Sequence, residues 1–79
     1  MKARVYVTLK PSVFDPQGSV VSEALHTLGY ADVQDVRQGK YFELELDASD
    51  RDAAQVRVAE MAARLLANPV IESYRVEVL

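Results

Sequence analysis

The sequence predicts an α+β two-layer sandwich of β-α-β-β-α-β order, an antiparallel sheet with two helices on one face. Three observations carry that reading. Apolar and polar residues alternate strictly over Lys2–Lys10 and again over Lys40–Asp47. Two stretches of helical apolar spacing each follow a capping signal. A stop at Asn68-Pro69 separates the second stretch from a closing strand. With right-handed crossovers, elements in this order form a ferredoxin-like arrangement with four strands.

In Lys2–Lys10, Ala3, Val5, Val7 and Leu9 take one face, while Arg4, Tyr6 and Thr8 take the other. Pro11 ends that strand. Asp15 can cap the first helix and Pro16 suits its first position. Val20, Val21, Ala24, Leu25 and Leu28 form its apolar stripe, and Gly29 closes it. Val33–Arg37 reads as a short strand with imperfect alternation, and Gln38-Gly39 as the turn of a hairpin into Lys40–Asp47. In that second strand Phe42, Leu44 and Leu46 face in, while Tyr41, Glu43 and Glu45 face out. Ser49 and Asp52 resemble a capping box for a long helix reaching Ala67. Its expected stripe is Ala54, Val58, Met61, Ala62, Leu65 and Leu66. Val56, Ala59, Ala63 and Ala67 lie off that stripe, so the helix is either rich in good helix formers or carries a second contact face. Pro69 pushes Asn68 out of the helical region. Tyr74, Val76 and Val78 define the last strand.

Composition sets limits. The 79 residues are expected to make a single domain, 1–79. A domain this small buries only about 60% of the surface its unfolded chain exposes, and such folds often need a further staple. There is no Cys and only one His, which excludes disulfides, thiolate metal sites and multi-His metal sites. Subunit contact is the staple that remains. A net charge of −3 argues against a nucleic-acid backbone as partner. The apolar runs are far shorter than the roughly 20 residues that span a bilayer, so a soluble, cytoplasmic chain is expected.

The candidate chemistry is sparse. His26 lies off the apolar stripe and reads as an exposed helix residue. Asp15-Pro16-Gln17-Gly18 could offer free N–H groups to an anion, but Asp15 would repel it, and a cap and turn is the simpler reading. Tyr6 and Tyr41 fall on the open sheet face, where RNA-recognition folds stack bases, yet Glu43 and Glu45 share that face. These two carboxylates are expected to pair with Arg4 or Arg75 across the sheet. No catalytic, cofactor-binding or metal-binding residue is assigned.

Five segments carry a sharper resemblance: Leu9-Lys10-Pro11, Asp15-Pro16-Gln17-Gly18, Leu28-Gly29, Val36-Arg37 with Gly39-Lys40, and Leu65–Glu72, in order along the chain. On them the sequence resembles the PurS family, the small subunit of phosphoribosylformylglycinamidine (FGAM) synthase of purine biosynthesis. The resemblance implies a non-catalytic subunit that forms a homodimer or higher homo-oligomer. It implies a bridge between a large ATP-dependent synthetase subunit (PurL) and a glutaminase subunit (PurQ), assisting ammonia transfer between them. ATP, magnesium and glutamine would be used by the complex and not bound by this chain alone. By family match, Asp15, Pro16, Gln17, Gly18, Arg37, Gly39, Lys40, Asn68, Pro69 and Glu72 are implied as interface or shape-critical positions. The same element order also allows an ACT-like small-molecule-sensing module, by analogy of fold only.

Overall fold

The central strand organises the molecule, which is described here by a computed structural model covering residues 1–79. Strand β1 (Lys2–Leu9) pairs antiparallel with β2 (Gly39–Glu45) on one side and β3 (Glu72–Val78) on the other. Register sets the two faces. Val5 sits between Phe42 and Val76, and Tyr6 between Tyr41 and Arg75. Ala3, Val5 and Val7 therefore face inward and are fully buried. Arg4, Tyr6 and Thr8 face outward, as their alternation predicts.

Helix α1 (Pro16–Thr27) starts as its sequence dictates. The Asp15 carboxylate accepts from Gly18 N, and Pro16 opens the first turn. Gly29 ends the turn with φ 105°, a left-handed conformation that glycine adopts without strain. Helix α2 (Arg51–Met61) begins one residue later than the Ser49–Asp52 box implies. Asp50 is the cap, and its carboxylate accepts from Asp52 N. Ala54, Val58 and Ala62 then lie four residues apart and pack on the inner face of the sheet.

The second helix does not run on evenly to Ala67. Ala62–Leu66 is a π turn, and Ala67 is already extended. A π turn adds residues to the turn and rotates everything after it. Ala67 is carried into the core, while Leu65, expected in the buried stripe, is 83% exposed. The chain thus leaves the helix one residue before Asn68. Asn68 Oδ1 then accepts from Val70 N, and Asn68 N donates to Glu72 Oε1 at 2.7 Å. That closed local network starts β3.

The α+β, ferredoxin-like class holds, with antiparallel strands and two helices in the order β-α-β-α-β. Two expected details differ. The segment 33–37 does not join the sheet, which has three strands. Gln38 N, which a Gln38-Gly39 turn would have placed in a hairpin, donates instead to Asp15 Oδ2 at 2.8 Å. The chain consequently runs straight into β2. The second detail is α1, which makes no extensive contact with any strand. Its stripe is outward: Val20 is 65% and Leu28 is 73% exposed.

The result is an elongated protomer of 49 × 24 × 14 Å. Its radius of gyration is 15.7 Å, against about 12 Å for a compact chain of this length. The core is thin and is made of small residues, its largest fully buried side chains being Val5, Val7 and Val58. Removing two carbons from such a core costs their transfer energy plus a cavity. Val58→Ala is expected to lower stability by about 2 kcal/mol in urea unfolding. A loss below about 0.5 kcal/mol would mean that α2 does not hold the sheet in this way.

Candidate functional site

Three stretches far apart in sequence meet at one end of the sheet, where β1 ends and β2 and β3 begin. They are the Asp15–Gly18 turn, Arg37–Lys40 and Asn68–Glu72. Between them lies an open crevice of about 240 Å³, lined by Leu9, Asp15, Gln17, Gln38, Lys40 and Glu72 among others.

Asp15 is the centre of this junction and is only 5% exposed. One carboxylate oxygen accepts from Gly18 N at 2.9 Å, and the other from Gln38 N at 2.8 Å. These two bonds, with the Arg37 charge nearby, hold the Asp15 pKa below the ordinary carboxylate range. Arg37 fastens the opposite side. Its Nη2 lies 2.9 Å from the carbonyl oxygens of Lys10 and Val13 and 3.4 Å from that of Leu9. Gln38 Nε2 donates to Gln17 Oε1 at 2.9 Å. Lys40 Nζ stands 3.5 Å from Glu72 Oε2, while Glu72 Oε1 takes the Asn68 N–H.

Both glycines are held by space. A Cβ on Gly18 would lie 2.1 Å from the Val36 carbonyl oxygen, and one on Gly39 equally close to that of Val7. Backbone cannot yield at such distances. All ten sequence-singled positions except Pro16 and Pro69 thus make or border the junction through a bond or a close approach. Pro16 sets the first turn of α1, and Pro69 follows the helix end. Reasoning from sequence missed Gln38 and the three carbonyls that Arg37 binds. Carbonyl acceptors carry no residue-type signal, because every residue has one.

The junction is a fastening. Both oxygens of Asp15 are bonded to backbone, and Glu72 is shared between Asn68 and Lys40, so neither is a free base. No group of three or more His, Cys, Asp or Glu side chains is placed to hold a metal ion. His26 is exposed as expected, but its Nε2 also lies 2.6 Å from Val33 O, tying the end of α1 to the segment that follows.

The open sheet face differs from expectation in its pairing. Arg4 bonds Glu77 on β3 at 3.2 Å, and Glu43 accepts from the Tyr41 hydroxyl at 2.9 Å. Glu45 lies nearest the N-terminal amine, at 3.7 Å. Desolvation, then the Glu43 contact, push the Tyr41 phenol above its ordinary pKa. Tyr6 and Tyr41 have ring centroids 5.2 Å apart, and the Arg75 guanidinium sits 4.3 Å over Tyr6. The Tyr6 face that a base would need is covered by Arg75, which weighs against the RNA reading.

The comparisons with known proteins agree with one another. Residues 2–79 match the family model described as PurS: Phosphoribosylformylglycinamidine (FGAM) synthase. The FGAM synthase subunit PurS of Bacillus subtilis is 61% identical over 98% of this chain and 90% of its own length. That of Archaeoglobus fulgidus is 42% identical over 96% of this chain and 95% of its own. Among solved structures, B. subtilis PurS superimposes with a TM-score of 0.84 at 60% identity, covering 96% of this chain and 94% of that one. A chain in the structure of PurLQS from Thermotoga maritima does so with a TM-score of 0.89 at 32% identity, covering 99% and 95%.

Two outcomes follow from the junction. Gly18→Ala is expected to cost about 1–3 kcal/mol by overpacking against Val36, read as a lowered thermal midpoint while the amides of β1 stay protected from exchange. Unchanged melting would mean that α1 is not seated against the 36–38 segment. Asp15 sets a pH dependence. Its folded pKa is depressed, so its contribution is full above the unfolded value of about 4 and is lost as pH falls through the folded value. Wild-type melting should therefore drop more steeply below about pH 4 than that of Asp15→Asn. Parallel profiles would contradict the assignment.

Proposed function

The chain belongs to the PurS family, a subunit of FGAM synthase in purine biosynthesis, and from that premise we propose that it acts as the non-catalytic bridging subunit of that complex. In this reading residues 1–79 work in the cytoplasm as one PurS-like domain. The chain self-associates as a homodimer or higher homo-oligomer and docks a large synthetase subunit (PurL) and a glutaminase subunit (PurQ). The resemblance to a chain of PurLQS is the observation that supports it most directly.

The chemistry of the side chains supports a structural role. The crevice acids are bonded within the chain. Magnesium, ATP and glutamine are assigned to the partner subunits. What this chain supplies is shaped surface. Ammonia released from glutamine becomes protonated, and is lost as a nucleophile, once it meets water. An assembly that excludes water between two active sites keeps it neutral until it reacts. The Asp15–Gly18, Arg37–Lys40 and Asn68–Glu72 cluster is proposed as the shape-critical part of that surface. Its bonds are internal and its outer rim, with Gln17 and Lys40, is exposed.

The test is glutamine-dependent FGAM synthesis by purified synthetase and glutaminase, with and without this chain. Omitting the chain is expected to reduce the glutamine-dependent rate at least about tenfold, or about 1.4 kcal/mol. Synthesis from added ammonium salt should persist. A glutamine-dependent rate unchanged by the chain's absence would sink the bridging role.

A further inference from the structure

Helix α2 and the π turn that follows it carry two stripes. Ala54, Val58 and Ala62 pack on the sheet. On an outward flank, Arg57, Glu60, Met61, Arg64 and Leu65 line an open groove of about 340 Å³. Their spacing is i, i+3, i+4, i+7 and i+8, which places them along one side of a helix. Helical surfaces that recognise another chain use anchors at this spacing. Arg57, Glu60, Arg64 and Leu65 are all exposed.

The π turn makes this groove. A regular helix would have carried Leu65 toward the buried stripe with Val58 and Ala62. The wider turn rotates it outward, to 83% exposure. Turns of this kind are rare inside helices and recur at functional positions. Here one sets a large apolar side chain between two arginines.

The rim is basic in a chain of net charge −3. Residues 51–66 hold Arg51, Arg57 and Arg64 against Asp52 and Glu60. Glu60 stands three residues after Arg57 and four before Arg64, spacings at which helical ion pairs form. Neither pair forms, because the ion pairs of the chain all involve other residues. Both guanidinium groups therefore keep their forked donors for a carboxylate from outside.

Charge selects the occupant. A twofold contact between copies through this stripe would set antiparallel helices together, with Arg57 of each opposite Arg64 of the other. Like charges would meet, which disfavours a second copy. A nucleic-acid backbone is disfavoured as well, because Glu60 stands between the arginines and the chain is acidic. A protein segment with carboxylates flanking an apolar side chain matches both the rim and the groove.

We propose that this flank of α2 docks an acidic, apolar-tipped segment of a partner subunit of the complex. Met61 and Leu65 receive the apolar side chain, and Arg57 and Arg64 pair with the carboxylates beside it. The inference rests on the bridging role and deepens it by naming a face that meets a partner.

The test is binding of the chain to purified synthetase and glutaminase, singly and together, by biolayer interferometry. The wild-type chain is expected to bind at least one of these preparations, with an affinity that falls as salt rises. Leu65→Ser and, separately, Arg57→Glu/Arg64→Glu should each weaken that binding at least about tenfold. The double variant should also lose most of the salt dependence. These positions are exposed, so circular dichroism and sedimenting size should match wild type, and either variant decides the question if the other fails to fold. Val56→Ser changes an exposed apolar residue on a different flank of the same helix and should bind as wild type does. Wild-type affinity in both groove variants would overturn the docking face while leaving the bridging role standing. Equal weakening by Val56→Ser would also overturn it, since the effect would not belong to the groove. A changed sedimenting size in a folded groove variant would assign the face to contact between copies and overturn the proposal. A wild-type chain that binds none of the preparations would overturn the bridging role and the docking face together.

Discussion

The buried carboxylate of Asp15 is the constraint on which the shape of this protein depends. It accepts two backbone N–H groups, one from the first turn of α1 and one from the residue that leads into β2. An acceptor that caps a helix ordinarily serves that helix alone. Here the second oxygen reaches 23 residues along the chain and joins the two ends of the arm. Arg37 completes the fastening from the other side by binding the carbonyls of Leu9, Lys10 and Val13, at the end of β1 and just beyond it. Charge-assisted bonds to backbone are strong and directional, so the arm leaves the sheet at a set angle.

From that angle the remaining features follow. A helix held away from its sheet cannot bury its stripe, so the chain keeps a core of valines and alanines and a large exposed apolar surface. The sheet compensates by close packing of small residues. The π turn at Ala62–Leu66 serves this economy of space by bringing Ala67 under the sheet and turning Leu65 outward. Such a chain is poorly suited to stand alone and well suited to be part of an assembly, which accords with its membership of the PurS family.

The open face of the sheet is organised by pairwise contacts of its own. Arg75 over Tyr6, Tyr6 beside Tyr41, Tyr41 bonded to Glu43 and Arg4 bonded to Glu77 form a continuous run across three strands. Opposite charges and rings are interleaved, so the face carries no strong field of either sign. It is a rigid, polar surface with its aromatic groups already in use.

Much of this was legible in the residues. Alternation determined both faces of β1 and β2, because the side-chain period of a strand is two and a slip of one residue would bury Arg4 and Tyr6. Asp15-Pro16 and Gly29 marked the ends of α1, because capping and left-handed turns demand those residue types. Family resemblance pointed to the three segments that meet at the end of the sheet. Only the tertiary structure decided where the elements go. The local pattern of residues 33–37 is compatible with a strand, but pairing needs a neighbour, and the Gln38 N–H was claimed by a carboxylate distant in sequence. The stripe of α1 announces that something must cover it without saying that its own sheet does not. Periodicity reports which side of an element is apolar. Which surface meets that side depends on contacts between residues far apart in the chain, and a local pattern does not encode them.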